Sequence, residues 1–108
     1  MGAHICFDRH IHIANKTWSK GVLRHLGYED IDEQTLNEIV NNKKLKWIQI
    51  SDYLPNEAYR KIDQILSERP DITFRLFHFL NNDEVDISFL MDMPHVKKVQ
   101  IDLSLIHI

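Results

Sequence analysis

The order of β-rich and helical segments constrains the fold of this chain more than any other feature of its sequence. Four short segments are rich in the β-branched and aromatic residues that strands favour: residues 5–13, 45–50, 72–79 and 96–103. Helical patterns occupy the stretches between them. Because such alternation normally gives parallel strands joined by crossover helices, we predict an α/β fold built on a parallel sheet.

The helices are predicted from their boundary residues and from the spacing of their apolar residues. Asp30 precedes Glu33 by three positions, which is the spacing of a capping box, and predicts a helix over residues 31–41. Apolar residues that recur every three or four positions between two prolines predict a second helix within residues 55–70. The last connection, residues 81–95, predicts only one or two helical turns.

The later strands repeat at a regular interval. Leu76 lies 26 residues after Ile50, and Ile101 lies 25 residues after Leu76, within the interval of about 20 to 29 residues that is typical of leucine-rich repeats. Two strands also share the pattern apolar-x-x-apolar-Gln-apolar with lysine in second place: Leu45-Lys46-Trp47-Ile48-Gln49-Ile50 and Val96-Lys97-Lys98-Val99-Gln100-Ile101. The sequence therefore predicts stacked, divergent repeats.

Residues 86–101, with the sequence DISFLMDMPHVKKVQI, resemble the D-I-x-x-L-x-x-L-x-x-L-x-x-L-x-L pattern of the bacterial leucine-rich repeat family. The resemblance extends over about residues 44–103, although Asp71 stands where the middle repeat needs an apolar residue. It implies a right-handed solenoid with parallel strands on the concave side and helices on the convex side. Residues 1–44 would then be an N-terminal cap or an enlarged first repeat and residues 45–108 the divergent repeats, in one continuous domain.

A repeat protein of this kind binds partners through the concave strand face, where side chains are free to vary. Alternation places Ile48 and Ile50 in the core, so the residues between them face outward. An exposed Trp with Arg and Phe is typical of binding hot spots. We predict a scaffold that binds a protein partner and has no catalytic activity or cofactor. The predicted partner-binding residues are His10, His12, Trp47, Gln49, Arg75, Phe77, Lys98, Gln100 and Asp102.

The segment Asp8-Arg9-His10-Ile11-His12 supports an alternative function. Strand alternation puts His10 and His12 on one face, where two imidazoles could hold one metal ion. The D-x-H-x-H pattern resembles the first-strand motif of metal-dependent hydrolases built on α/β barrels, in which the metal activates water. Such a barrel needs about 200 residues or more, so this chain would be its N-terminal part, with Asp8, His10 and His12 as ligands. Further candidate ligands at strand ends are Asp52, His78 and Asp102.

The charge and cysteine content restrict the partners and the compartment. A net charge of −3 gives no long-range attraction to nucleic acid or anionic lipid. The single cysteine, Cys6, cannot form an internal disulfide, and no apolar run approaches the roughly 18 residues of a membrane span. We therefore predict a cytoplasmic protein that binds neither nucleic acid nor membranes. Lysines near the strands are expected on solvated surfaces: Lys43, Lys44, Lys46, Lys97 and Lys98.

The sequence also supports one prediction about each end of the predicted solenoid. Ile50 lies 37 residues after Ile13, too far for one coil, so Trp18 is expected to pack inside an N-terminal cap against Val22, Leu23 and Leu26. At the other end the last strand runs into residues 103–108, which contain nothing to cover it. Solenoids need terminal coils with a polar outer face, and we therefore expect this chain to be a fragment of a longer protein.

Overall fold

The computed structural model describes residues 9–21, 23–77 and 87–102. Within these residues the strands are β1 His10–Ala14, β2 Trp18–Lys20, β3 Leu23–Gly27, β4 Trp47–Ile50, β5 Thr73–Phe77 and β6 Val99–Asp102. They form one sheet in the order β2-β3-β1-β4-β5-β6, and every neighbouring pair is parallel except β2 with β3. The predicted α/β class with a largely parallel sheet is confirmed, but the sheet has six strands in the described ranges and not the four that we predicted.

Helical segments lie between β3 and β4, between β4 and β5, and between β5 and β6. They are a 3₁₀ helix Tyr28–Asp30, α1 Glu33–Asn41, α2 Asn56–Glu68 and a second 3₁₀ helix Ser88–Asp92. The second α-helix agrees with its prediction, since Pro55 occupies its N-cap and its apolar face is buried. The short helical turn predicted in the last connection is also confirmed, by the 3₁₀ helix Ser88–Asp92. None of the helices described here has both the length and the apolar character needed to cross a membrane.

The first residues of α1 correct the predicted capping box. Asp32, and not Asp30, is the N-cap, and its carboxylate accepts a 2.8 Å hydrogen bond from the backbone N–H of Thr35. This hydrogen bond lowers the pKa of Asp32. Asp30 instead ends the first 3₁₀ helix and accepts a hydrogen bond from the hydroxyl of Thr17. Aspartate is a favoured N-cap residue, so both positions fit the sequence pattern. The preceding 3₁₀ helix includes Asp30 and leaves Asp32 as the N-cap of α1.

The strand register agrees with the spacing of the sequence. Ile50 pairs with Leu76, and Leu76 pairs with Ile101, so the residues that the 26- and 25-residue intervals align are direct neighbours in the sheet. Ile48 and Phe74 are likewise paired and fully buried. One face of the sheet, together with α1, α2 and both 3₁₀ helices, therefore builds a single apolar core.

Strand β6 lies at the edge of the sheet, and its core-side residues are less well covered. Val99 pairs with Phe74 and Ile101 pairs with Leu76, but Val99 and Ile101 are each 44% exposed. The helical segments described cover the central strands more completely than this edge. The predicted lysine positions flanking the strands are exposed: Lys43, Lys44, Lys46, Lys97 and Lys98.

Strands β2 and β3 form a hairpin that we did not predict from the sequence. Gly21 sits in its turn with φ +63°, a conformation that favours glycine. Gly27 permits a close approach at the end of β3, since a Cβ there would lie 2.6 Å from the backbone nitrogen of Thr17. The same loop is fixed by a 2.8 Å hydrogen bond from the Gly27 N–H to the Thr17 hydroxyl.

Trp18 does not pack in a cap core as predicted. It is 42% exposed in β2 and contacts the ring of His25, which is its partner across the hairpin. The reason is the position of β2, which lies at the edge of the sheet with all three of its residues exposed. Of the expected neighbours, Leu26 is buried in the core, whereas Val22 and the side chain of Leu23 lie outside the described residues.

Arg69 connects the two central crossovers. Its guanidinium donates hydrogen bonds to the backbone carbonyls of Val40, Asn42 and Leu45 at 2.8 to 3.2 Å. It also forms a bidentate pair with Asp71, with both N···O distances at 3.0 Å, and this pairing lowers the pKa of Asp71. Asp71, the residue that departs from the repeat pattern, therefore holds Arg69 against the end of α1 and the approach to β4.

Candidate functional site

The face of the sheet opposite the core carries a row of polar and aromatic residues. His12 pairs with Gln49, Gln49 with Arg75, and Arg75 with Gln100 across four adjacent parallel strands. These residues alternate with the core residues of the same strands, so their side chains stand on the other side. The helices described bury their apolar residues in the core, and we call the opposite surface the helix-free face.

Arg75 is the centre of a cross-sheet network on this face. Its Nε and Nη2 donate to Oδ2 of Asp102 at 2.8 and 2.6 Å. Gln100 Nε2 donates to the same oxygen at 3.2 Å. On the other side Arg75 Nη1 donates to Oε1 of Gln49 at 3.2 Å. The Arg75 guanidinium also lies over the ring of Phe77, with its central carbon 4.3 Å from the ring centroid.

The hydrogen bond from Arg75 determines how Gln49 meets His12. Because Arg75 can only donate, the atom of Gln49 that it contacts must be the carbonyl oxygen. The amide nitrogen of Gln49 therefore lies 3.1 Å from Nδ1 of His12 and donates to it. An Nδ1 that accepts a hydrogen bond carries no proton, so the neutral His12 ring carries its proton on Nε2.

A stack of rings extends the network to the hairpin. The His12 and His25 rings lie 3.7 Å apart and are within 4° of parallel. The Trp18 ring follows at 4.2 Å from His25, tilted by 54°. Burial, with smaller contributions from His25 and His10, lowers the pKa of His12 to about 3, and burial also lowers the pKa of His25. Both rings are therefore uncharged at neutral pH, which allows them to stack without repulsion.

The structure brings together most of the predicted partner-binding residues but changes the role of two. His12 is only 8% exposed and Gln49 only 6%, so the expectation that they stand free on the surface is wrong. They are covered by their own neighbours, His25 and Arg75. The other predicted residues remain at least partly accessible: His10, Trp47, Arg75, Phe77, Lys98, Gln100 and Asp102.

Two members of this site, Trp18 and His25, were not among the predicted site residues. The signal that could have identified them is the turn at Gly21, which joins short segments whose register places Trp18 opposite His25. The pairing of Ile13 with Leu26 brings His25 level with His12 in the adjacent strand. Neither relation is visible in the spacing of the histidines along the chain.

The proposed metal ligands are only partly described. Asp8 and His78 lie outside the described residues, as does Cys6. His10 is exposed at the start of β1, and His12 is held through Nδ1 by Gln49. The parallel rings of His12 and His25 direct their in-plane nitrogen lone pairs side by side instead of toward one point. Among residues 9–21, 23–77 and 87–102, no three His, Cys, Asp or Glu side chains are grouped to hold a metal ion.

A pocket of about 430 Å³ opens where β1 and β4 end, and we call it the strand-end pocket. Its floor includes His12, and Ser51 and Asp52 contribute from the loop after β4. The Ser51 hydroxyl donates a 2.7 Å hydrogen bond to the carbonyl of Phe77, which fixes this part of the wall. The pocket is lined by His12, Ile13, Ala14, Asn15, Lys16, Trp18, His25, Ser51, Asp52 and Leu54.

Comparison of this chain with family models, with curated proteins and with solved structures gave no match.

Proposed function

We propose that this protein is an interaction scaffold that binds a protein partner through the helix-free face of its sheet. The observation that carries the proposal is the continuity of the side-chain contacts across that face. They run from Asp102 through Arg75, Gln49, His12 and His25 to Trp18, and so join β6 to β2.

Such continuity favours binding because side chains that are already fixed lose less conformational entropy when a partner binds. A surface arginine normally loses much rotamer freedom when a partner fixes it. Arg75 is already held by Asp102 and Gln49 and lies over Phe77. The half-buried Trp47, which shares this face, adds the kind of side chain that dominates binding energies.

We also propose that the strands belong to a leucine-rich repeat solenoid. In a leucine-rich repeat solenoid the strands would form the concave side and the helices the convex side, and the partner would lie against the strands. The in-register interval of 26 and 25 residues across β4, β5 and β6 supports this arrangement. So does the burial of both α-helices on one side of the sheet. We also propose a cytoplasmic location, because the single cysteine cannot form an internal disulfide and no apolar run is long enough to span a membrane.

The alternative, a metal-dependent hydrolase fragment using Asp8, His10 and His12, has weaker support. A metal-bound histidine normally donates its second ring N–H to an acceptor, whereas Nδ1 of His12 accepts a hydrogen bond from Gln49. The described residues favour a positioned ring over a metal ligand.

The test is a binding comparison between the two faces of the molecule. Peptides selected from a displayed random library against the purified protein are titrated by calorimetry into wild type, Trp47→Ala and Arg75→Ala. We expect at least tenfold weaker binding for both variants, as for hot-spot truncations. Arg60→Ala and Gln64→Ala, exposed on α2, are the matched controls and should bind as wild type does. Equal losses on both faces, or losses on α2 alone, would refute the proposal.

A further inference from the structure

The strand-end pocket occupies a position where parallel sheets commonly bind small molecules. It lies beyond the carboxyl ends of β1 and β4, which are neighbours in the sheet. From β1 the chain continues to β2 and β3 on one side, and from β4 it continues to β5 on the other. The two connections diverge at this point, which leaves a crevice between them. Its volume of about 430 Å³ is sufficient for a small organic ligand.

His12 supplies one directed hydrogen-bond donor to this pocket. Its Nδ1 accepts from Gln49, and its protonated Nε2 has no hydrogen-bond partner in the described part of the chain. No buried polar side-chain atom there lacks a partner, so this Nε2 must be accessible to solvent. His12 is one of the residues that line the strand-end pocket. The Nε2–H is therefore available to an acceptor on a ligand, and Arg75 and Gln49 hold it in place.

Rings and aliphatic side chains form the rest of the binding surface. Trp18 and His25 line the same pocket; the His25 ring is already in contact with His12 and Trp18, whereas the Trp18 ring is 42% exposed and offers free aromatic surface. Ile13 and Leu54 add apolar walls. Planar rings gain from stacking on such surfaces in addition to the apolar area they bury.

The charges around the pocket are balanced. Among the residues that the structure describes, Lys16 and Asp52 are its charged lining residues, one of each sign, and both are exposed. A ligand with a net charge would be attracted by one and repelled by the other. The lining therefore matches a ligand without net charge.

We infer that the strand-end pocket binds a small, neutral, planar heteroaromatic compound with a hydrogen-bond acceptor at its edge. The acceptor contacts Nε2–H of His12, and the ring lies against Trp18. This site shares His12, His25 and Trp18 with the helix-free face, but it goes beyond the scaffold proposal because it takes a small molecule at the carboxyl ends of the strands.

Three related compounds test the ligand chemistry. Nicotinamide is neutral and aromatic, nicotinate keeps the ring but carries a negative charge, and cyclohexanecarboxamide keeps the amide but lacks the aromatic ring. Each is titrated into ¹⁵N-labelled protein, and the backbone amide shifts of Asn15, Lys16, Ser51 and Asp52 are followed by NMR. We expect nicotinamide to bind with a dissociation constant on the order of 1 mM. Nicotinate and cyclohexanecarboxamide should each bind at least about fivefold more weakly.

Two variants test the assigned contacts. His12→Phe keeps a ring in the stack but removes the donor, and should weaken nicotinamide binding about tenfold. His10→Phe makes the same substitution two residues earlier, outside the pocket lining, and should bind as wild type does. If the spectrum of His12→Phe shows loss of folding, Trp18→Leu replaces it, since Trp18 is exposed and its truncation removes only the ring surface.

The inference is overturned by any of three results. These are no shift at the pocket amides with nicotinamide at about 20 mM, equal binding of all three compounds, and wild-type affinity in a folded His12→Phe variant or in Trp18→Leu. Preferential binding of nicotinamide with loss in these variants supports it.

Discussion

The two faces of the sheet are made by alternate residues of the same strands, yet they are held together in different ways. On the core face Ile48 and Phe74 are fully buried among apolar side chains, where packing is dense but not directional. On the helix-free face Gln49 and Arg75 are held by hydrogen bonds with defined donors and acceptors. The core face therefore supplies the stability, and the helix-free face supplies a fixed pattern of chemical groups.

The largest effect should come from comparing two neighbours in β4. Ile48→Ala removes a fully buried side chain and should lower the free energy of unfolding by about 3 kcal/mol. Trp47→Ala, on the helix-free face, should cost about 1 kcal/mol because Trp47 is only half-buried. Denaturant unfolding of both variants measures the difference. A larger loss for Trp47→Ala would show that the two faces are assigned the wrong way round.

Substitutions at two glycines test what fixes the hairpin beside β1. Gly27→Ala places a Cβ 2.6 Å from the backbone nitrogen of Thr17, so the loop must move, and we expect a loss of about 2 kcal/mol. Gly21→Ala meets nothing within 4 Å and suffers only from its positive φ, at a cost of about 1 kcal/mol. Thermal unfolding compares them. Equal effects would mean that the close approach at Gly27 is not what fixes the hairpin.

Some elements of this fold could be predicted from the sequence and others could not. Local patterns identified the central strands and α2, because alternation and three-to-four spacing are properties of adjacent residues. The start of α1 was misplaced because Asp30 and Asp32 are both suitable caps. The hairpin was missed because a three-residue strand such as Trp18–Lys20 is too short to show alternation.

The candidate site was predictable only in part. Strand alternation placed His12, Gln49 and Arg75 on one face, as the register has them. Their hydrogen bonds depend on residues far apart in sequence, such as Arg75 and Asp102, which are 27 positions apart. The repeat interval aligns the strands that carry these residues, but it does not determine which side chains bond to each other across the sheet.

Removing the centre of the network should have a smaller effect on stability than removing a core residue. Arg75→Met keeps much of the side-chain volume but takes away the donors to Asp102 and Gln49. We expect a loss of about 1 to 2 kcal/mol, measured by urea unfolding, because the buried carbonyl of Gln49 loses its partner. Arg60→Met, an exposed substitution of the same kind on α2, is the control and should change stability by less than about 0.5 kcal/mol. Matching losses would indicate that the network contributes nothing specific.

The histidine stack predicts how stability depends on pH. The pKa of His12 is lowered from 6.5 to about 3, so between these values the unfolded chain binds a proton that the folded chain does not. The free energy of unfolding should therefore fall as the pH is lowered from about 6.5, by at most about 1.4 kcal/mol per pH unit for this group. His25 should add to the fall in the same direction. Unfolding between pH 7 and pH 4.5 measures the slope, which should be reduced in His12→Phe and retained in His10→Phe.

The most direct test of the account is the protonation of the two ring nitrogens of His12 at pH 7, measured by long-range ¹H–¹⁵N NMR on the labelled protein. The cross-sheet network requires a neutral ring with the proton on Nε2 and a bare Nδ1, because Arg75 fixes Gln49 as the donor to Nδ1. The account predicts this tautomer in wild type and a loss of its dominance in Arg75→Met. A proton on Nδ1 in the wild-type protein, or a charged ring, would contradict it.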